Sequence, residues 1–380
     1  MKDNPGYDRK VHPDGNRASQ QGLLSLLRLD LPLLSALLLL CGFGLVVLYS
    51  ASGGDGDMLQ RQLLRLGFAF GLMLLAAQIS PLQWQRWAAL IFAAGLVLLL
   101  AVLLVGAVGK GAQRWLDFGL FRFQPSELMK LALPMLLAWF FSIRHIPPKN
   151  KDLIIAVLII AVPVGLIAKQ PDLGTSLLVA SAGVFVLFLG GLSWRLIGFL
   201  LAAVAAVAPL AWHFLHDYQR QRVLTFLDPQ SDPLGSGYHI IQSKIAIGSG
   251  GAYGKGWLEG TQSHLEFLPE RHTDFIFAVL AEELGLFGVL LLLLLYLFII
   301  YRGLYIASQA HDTFSRLLGG SITLVFFVYV FVNIGMVSGM LPVVGVPLPL
   351  ISYGGTSLVT IMAGFGILMS IHSHKKLLPT

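Results

Sequence analysis

The sequence predicts an all-α polytopic membrane protein of about ten transmembrane helices with one large loop outside the membrane, and three observations carry this. Only 12% of its 380 residues are charged and 56% are apolar, with mean hydropathy +0.76; a soluble domain carries about twice that share of charge. The apolar residues fall in blocks long enough to cross a ~30 Å hydrocarbon core as helices. They do not alternate with polar residues over about ten positions, so an outer-membrane barrel is excluded along with a soluble enzyme. A net charge of +6 without a Lys/Arg run offers no nucleic-acid surface. The single cysteine, Cys41, excludes an intramolecular disulfide.

The elements follow in order. Residues 1–30 are polar and read as an N-terminal tail. No A-x-A-like cleavage site follows the first apolar block, so 31–50 is a retained first helix. The next spans are 62–79, whose start is crowded by Arg61 and Arg65, then 86–107, and 127–142, which carries Glu127 and Lys130. Spans 153–169, 174–190 and 195–213 follow. A polar loop, 214–274, separates these from 275–301, 316–340 and 352–372, and 373–380 is a C-terminal tail. Residues 31–372 thus form one ten-helix membrane domain, with no visible inverted repeat.

Two loops stand out. The 214–274 loop is glycine-rich, with amphipathic stretches at 223–227 and 238–247; a structureless loop that long is unusual, so short interfacial helices are expected there. The 341–352 segment, LPVVGVPLPLIS, is apolar, uncharged and rich in Pro and Gly. It cannot be regular helix and is expected to re-enter the bilayer edge, buried against protein.

Ten spans put both termini on one side. The orientation rule counts short loops only. Without the five basic residues of the long loop, fourteen lie on the side of the termini and six on the other. The termini are therefore cytoplasmic, and the outer side keeps cations that topology does not require.

Ionisable groups within spans are costly and mark function or a paired structural site. Glu127 and Lys130 share a helix face and read either as a self-neutralising pair or as the lining of a polar cavity. Asp172 is placed to cap the sixth span or to join that cavity. Asp274 ends the long loop before a long apolar run. It fits two roles equally: an N-cap, or a partly desolvated general base at the membrane surface. Glu282 and Glu283 point to different sides of the same helix. The segment GSGGAYGK, 248–255, lacks Walker spacing and reads as a hinge or a close backbone approach to substrate. The loop histidines lack metal spacing, and neither G-x-S-x-G nor H-E-x-x-H occurs. What remains is an outer-facing set. It comprises the cations Arg114, Arg122, Arg220, Arg222, Lys244, Lys255 and Arg271, the sugar-stacking candidates Trp115 and Trp257, and Gln124, Ser126, Glu127, Asp172 and Asp274. Cations suit a diphosphate and a carboxylate suits proton abstraction. An anionic lipid-tailed substrate, processed or transported, fits this inventory.

Several motifs then resemble the SEDS family of bacterial cell-shape, division and sporulation proteins. They are GAQRWL (111–116), FQPSELMK (123–130), QPDLGT (170–175), DYQRQR (217–222), GSGG (248–251), FLPERHTDF (267–275) and GVPLPLISYGG (345–355). The likeness runs from first helix to last and is greatest to the rod-shape, RodA, branch of a Gram-negative type. It implies a ten-helix peptidoglycan glycosyltransferase of the inner membrane that polymerises lipid II at the periplasmic face. Asp274 matches the family's catalytic aspartate, Trp115 its functionally important tryptophan, and Glu127 with Lys130 its paired cavity charges. The implied reaction has Asp274 deprotonate the acceptor GlcNAc C4 hydroxyl, which attacks C1 of the donor MurNAc and expels undecaprenyl diphosphate. Arg222, Lys244 and Arg271, or a divalent cation such as Mg or Mn, would meet the diphosphate. The resemblance also implies a class B penicillin-binding protein transpeptidase and other elongation-complex membrane proteins as partners. A lipid-precursor flippase and a non-catalytic scaffold are the alternatives.

Overall fold

The computed structural model describes residues 28–109, 112–117, 119, 122–193, 217–232, 235–264 and 270–374, with positions 195, 198, 202 and 206. The tail through residue 27, the residues after 374 and most of the expected 195–213 span lie outside these. Helix α1 (Leu31–Ala51) begins at Asp30, whose carboxylate accepts the Leu33 N–H. Then come α2 (Gly56–Gln78), capped by Asp55, and α3 (Pro81–Val105), with Ser80 as cap and Pro81 in its first turn. These caps start both helices several residues before the apolar runs do, because a proline or charge in the first turn costs no intrahelical hydrogen bond.

A three-stranded antiparallel sheet interrupts the helices, and the sequence analysis did not anticipate it: β1 (Ala107–Gly109), β2 (Ala112–Asp117) and β3 (Arg122–Phe123). Three strands this short, joined by two local ladders, leave little hydrophobic periodicity to read. Helices α4 (Pro125–Ser142), α5 (Asn150–Lys169) and α6 (Leu173–Leu189) follow. The long loop carries α7 (Asp217–Leu227), a 3-10 turn at Pro229–Ser231, α8 (Ser236–Ser249) and the single turn α9 (Thr261–His264). Both amphipathic stretches of the sequence thus fall in helices.

The chain ends with α10 (Ile276–Ser308), α11 (Thr313–Val337) and α12 (Thr356–Ser373). Helices α1, α3, α5, α10, α11 and α12 are long and apolar enough to cross a membrane, and α6 is a shorter apolar helix. Leu64, Leu90, Leu104 and Leu294 project outward, exposed, as lipid-facing side chains do. The protein is therefore a polytopic helical membrane protein. Of these six spans α11 is the most enclosed, packing on α4, α6, α10 and α12. No helix forms between α11 and α12, where Val346, Leu348, Leu350 and Ile351 are nevertheless buried.

Candidate active site

One end of the bundle gathers the polar groups. Gln124 and Pro125 open α4, which places Ser126, Glu127 and Lys130 in its first two turns, all buried. Lys130 Nζ meets Glu127 Oε1 at 2.6 Å and also contacts the Tyr329 hydroxyl from α11. Asp172 caps α6 and also meets polar side chains from other elements. Its Oδ1 accepts the Thr175 N–H at 3.1 Å, capping α6. Its Oδ2 accepts Gln124 Nε2 at 3.1 Å and faces Arg114 Nε at 3.7 Å. The ladder steps from Ala107–Trp115 to Val108–Gln113, so Arg114 is the extra residue of a bulge, a device that re-aims a side chain. Its guanidinium donates to the carbonyls of Gln170 and Pro171. Trp115 is half-buried beside it.

Two buried atoms in this cluster, Ser126 Oγ and Glu127 Oε2, have no hydrogen-bond partner among the described residues. Two carboxylates and two cations make the cluster formally neutral, which lowers the cost of burying it.

Asp274 is half-buried at the same end, just before α10. The capping role fails: the N-cap of α10 is Phe275, which makes no side-chain cap bond. Instead the backbone around Asp274 is held from outside. Tyr353 N–H donates to the His272 carbonyl at 2.8 Å, Ser352 Oγ to the Thr273 carbonyl at 2.6 Å, and Asn333 Nδ2 to the Asp274 carbonyl at 2.9 Å. The uncharged loop between α11 and α12 thus forms the floor beneath the aspartate. Gly345, at φ +73°, turns that loop so closely that an added Cβ would lie 3.4 Å from Asp274 Oδ2, and positive φ excludes most other residues. Burial and adjacent Arg271 hold the His272 imidazole below its usual pKa, against Glu270 and a backbone bond to Ala51. Burial lowers His239 too, against Glu270 and Asp232, and its ring stacks on Phe275 at 5.7 Å.

The remaining candidates separate. Lys244 is exposed on α8, its stem lying over Gly339 just past α11. Arg271 is half-buried three residues before Asp274, and Arg222 sits on α7, which packs on the 3-10 turn and α8. Lys255 is committed to Glu282 at 2.7 Å and to Thr261 at 2.7 Å, which removes it from the cations available to a substrate. Trp257 is likewise taken up by α1: its indole N–H donates to the Val46 carbonyl at 3.1 Å and its ring stacks on Tyr49. Glu283, on the other side of α10, accepts Ser50 Oγ at 2.6 Å.

The glycine-rich 248–256 segment closely approaches the backbone of the chain's own helix α10. Helix α10 breaks at Gly285 (φ 61°, ψ −160°). There Lys255 and Gly256 N–H groups donate to the Glu282 and Glu283 carbonyls, while Leu286 and Phe287 N–H groups donate to Gly251 and Ala252. The segment therefore satisfies the backbone groups that the break exposes. Among the described residues, no group of three or more His, Cys, Asp or Glu could hold a metal ion.

Residues that the sequence analysis missed are Gln62, Arg65, Tyr329, Asn333 and Ser352. The Arg65 guanidinium lies 4.3 Å over the Tyr353 ring, and Gln62 reaches Ser352 and Gly354. Of these, only the charge of Arg65 left a signal in the sequence.

Comparison with known proteins follows this geometry. Residues 31–377 match the family model FtsW/RodA/SpoVE, described as cell cycle protein. The peptidoglycan glycosyltransferase MrdB of Escherichia coli K12 is 59% identical over 351 residues, covering 92% of this chain and 95% of that protein. A probable peptidoglycan glycosyltransferase FtsW of Geobacter metallireducens is 37% identical over 371 residues, covering 92% and 96%. Among solved structures, a chain from a peptidoglycan synthase complex described as coordinating polymerization and crosslinking superposes with TM-score 0.81 at 36% identity, over 92% of this chain and 99% of that one. Thermus thermophilus rod shape determining protein RodA superposes with TM-score 0.70 at 32% identity, over 91% and 97%.

Proposed function

We infer that this chain, which belongs to the FtsW/RodA/SpoVE family, is a peptidoglycan glycosyltransferase that polymerises lipid II. The observation that carries the site is the half-buried Asp274 carboxylate on a backbone clamped at three successive carbonyls. In this reading Asp274 takes the proton from the acceptor GlcNAc C4 hydroxyl as that oxygen attacks the donor MurNAc C1. Undecaprenyl diphosphate leaves, the α-linkage becomes β(1→4), and no covalent enzyme intermediate forms. Charge grows on the leaving diphosphate, so cations matter most in the transition state. Arg271 and Lys244, on the elements around Asp274, serve that role ahead of Arg222. The Arg114–Gln124–Asp172 and Ser126–Glu127–Lys130 groups line the binding cavity, with Trp115 at its rim.

Nine helices of at least 17 residues are among the described residues, and the 195–213 span is the tenth in this reading. The termini are cytoplasmic and Asp274 faces the periplasm, as the basic-residue asymmetry requires. A class B penicillin-binding protein contacts α10, α11 and the outer loop. The test is glycan formation from purified lipid II by the native protein and by Asp274→Asn at equal amounts. The variant is expected to make no polymer; undiminished polymer from well-folded variant removes Asp274 from the chemistry.

A further inference from the structure

Two side chains one turn apart on α11 connect the buried charge cluster to Asp274. Residues i and i+4 lie on one helix face. Tyr329 sets its hydroxyl on Lys130 Nζ, with the ammonium 4.7 Å from its ring centre. Asn333 donates through Nδ2 to the Asp274 carbonyl at 2.9 Å and to the Val346 carbonyl at 2.7 Å. Both partners only accept, so the amide nitrogen must face them. Asn333 is 0% exposed and its Oδ1 is buried without a partner. An apolar residue would avoid that penalty, so the two bonds are what the asparagine contributes.

We propose that Asn333 is a positioning residue for Asp274, and that Tyr329 brings the Glu127–Lys130 pair into the same support. This rests on Asp274 being the base. Of the three bonds holding carbonyls 272, 273 and 274, two come from the loop between α11 and α12, and only the Asn333 bond comes from a helix. Val346, its second partner, adjoins Gly345, the residue against which the Asp274 carboxylate lies. One amide therefore fixes both walls of the gap that holds the carboxylate. Without it the carboxylate loses its aim at the acceptor hydroxyl, while lipid-contacting surfaces stay in place. Misplacing a catalytic group by about 1 Å costs on the order of 100-fold in rate.

The test uses the full-length protein with purified lipid II. Asn333→Leu removes the donor at similar size, Asn333→Gln keeps it, and Tyr329→Phe removes only the hydroxyl. Asn333→Leu is expected to lower kcat by about 10- to 100-fold, with KM for lipid II within about twofold. Asn333→Gln recovers part of that loss, and Tyr329→Phe loses about threefold or more in kcat at unchanged KM. Native kcat in folded Asn333→Leu while Asp274→Asn is inactive overturns the positioning role. Should Asn333→Leu not fold, Asn333→Ala and Tyr329→Phe are read in the same way. Full activity of Asp274→Asn is instead a failure of the base assignment, and is seen on that variant alone.

Discussion

Two buried carboxylates sit at opposite ends of the bundle, and their oxygens are used differently. Asp30, before α1, is 1% exposed. Its Oδ1 accepts Leu33 N–H at 2.9 Å and Arg302 Nε at 3.0 Å, and its Oδ2 accepts Arg302 Nη2 at 2.6 Å and faces His372 Nε2 at 3.3 Å. Glu127, at the other end, is also buried, with Oε1 on Lys130; among the described residues, Oε2 and the neighbouring Ser126 Oγ have no hydrogen-bond partner. Pinning three helices together calls for saturation, because every unmet buried acceptor costs stability. A cluster that receives a polar substrate must keep bonding capacity in reserve. The carboxylate with unused capacity is also at the end that holds Asp274.

The largest test of this contrast is Lys130→Met, which strands Glu127 as an unpaired buried charge. It should cost about 3–5 kcal/mol of stability and abolish polymerisation. Adding Glu127→Gln should restore melting temperature without restoring polymer, whereas recovery of both would make the pair merely structural. Asp30→Asn comes next: loss of the bidentate arginine bonds should cost about 1.5–3 kcal/mol, read in thermal unfolding, with polymerisation per folded molecule unchanged. A drop in specific activity would make the saturated end functional too.

The Asp30 end also has a pH signature. Burial raises the Asp30 pKa, but the Arg302 hydrogen bond, the Leu33 N–H and the charges of His372 and Arg302 outweigh it and hold the carboxyl below its ordinary 3.8. A lowered folded-state value means the stabilisation is complete above about pH 4 and is lost as pH falls through that lowered value. Asp30→Asn should flatten that acid limb of the melting-temperature profile, and an unchanged limb would assign it to other groups. The smallest effect on stability is expected from Ser126→Ala. Deleting a hydroxyl that bonds to nothing should change stability by no more than about 0.5 kcal/mol while lowering polymerisation several-fold. Native activity in that variant would mean the reserve at this end is not used.

Much of this site was legible in the linear sequence. Asp274, Glu127, Lys130 and Asp172 stood out because a charge inside or beside an apolar run is too costly to be incidental. The irregular loop after α11 was legible because prolines deny the backbone its helical bonds. Asn333 and Tyr329 were not, because a neutral polar residue in an apolar helix carries little cost until its neighbours are known.

By itself, the sequence determined that the chain lives in a membrane as helices, since a chain so poor in charge belongs in a bilayer and its unbroken apolar runs satisfy their backbone there as helices rather than as the alternating strands of a barrel. Tertiary structure decided what each polar group does. It spent Lys255 on Glu282 and Trp257 on α1, turned the glycine-rich segment into a splint for broken α10, and set Asp274 on a clamped backbone rather than at a helix cap. Those outcomes depend on atoms tens to hundreds of residues apart approaching within hydrogen-bond distance, and residue order alone does not encode such distances.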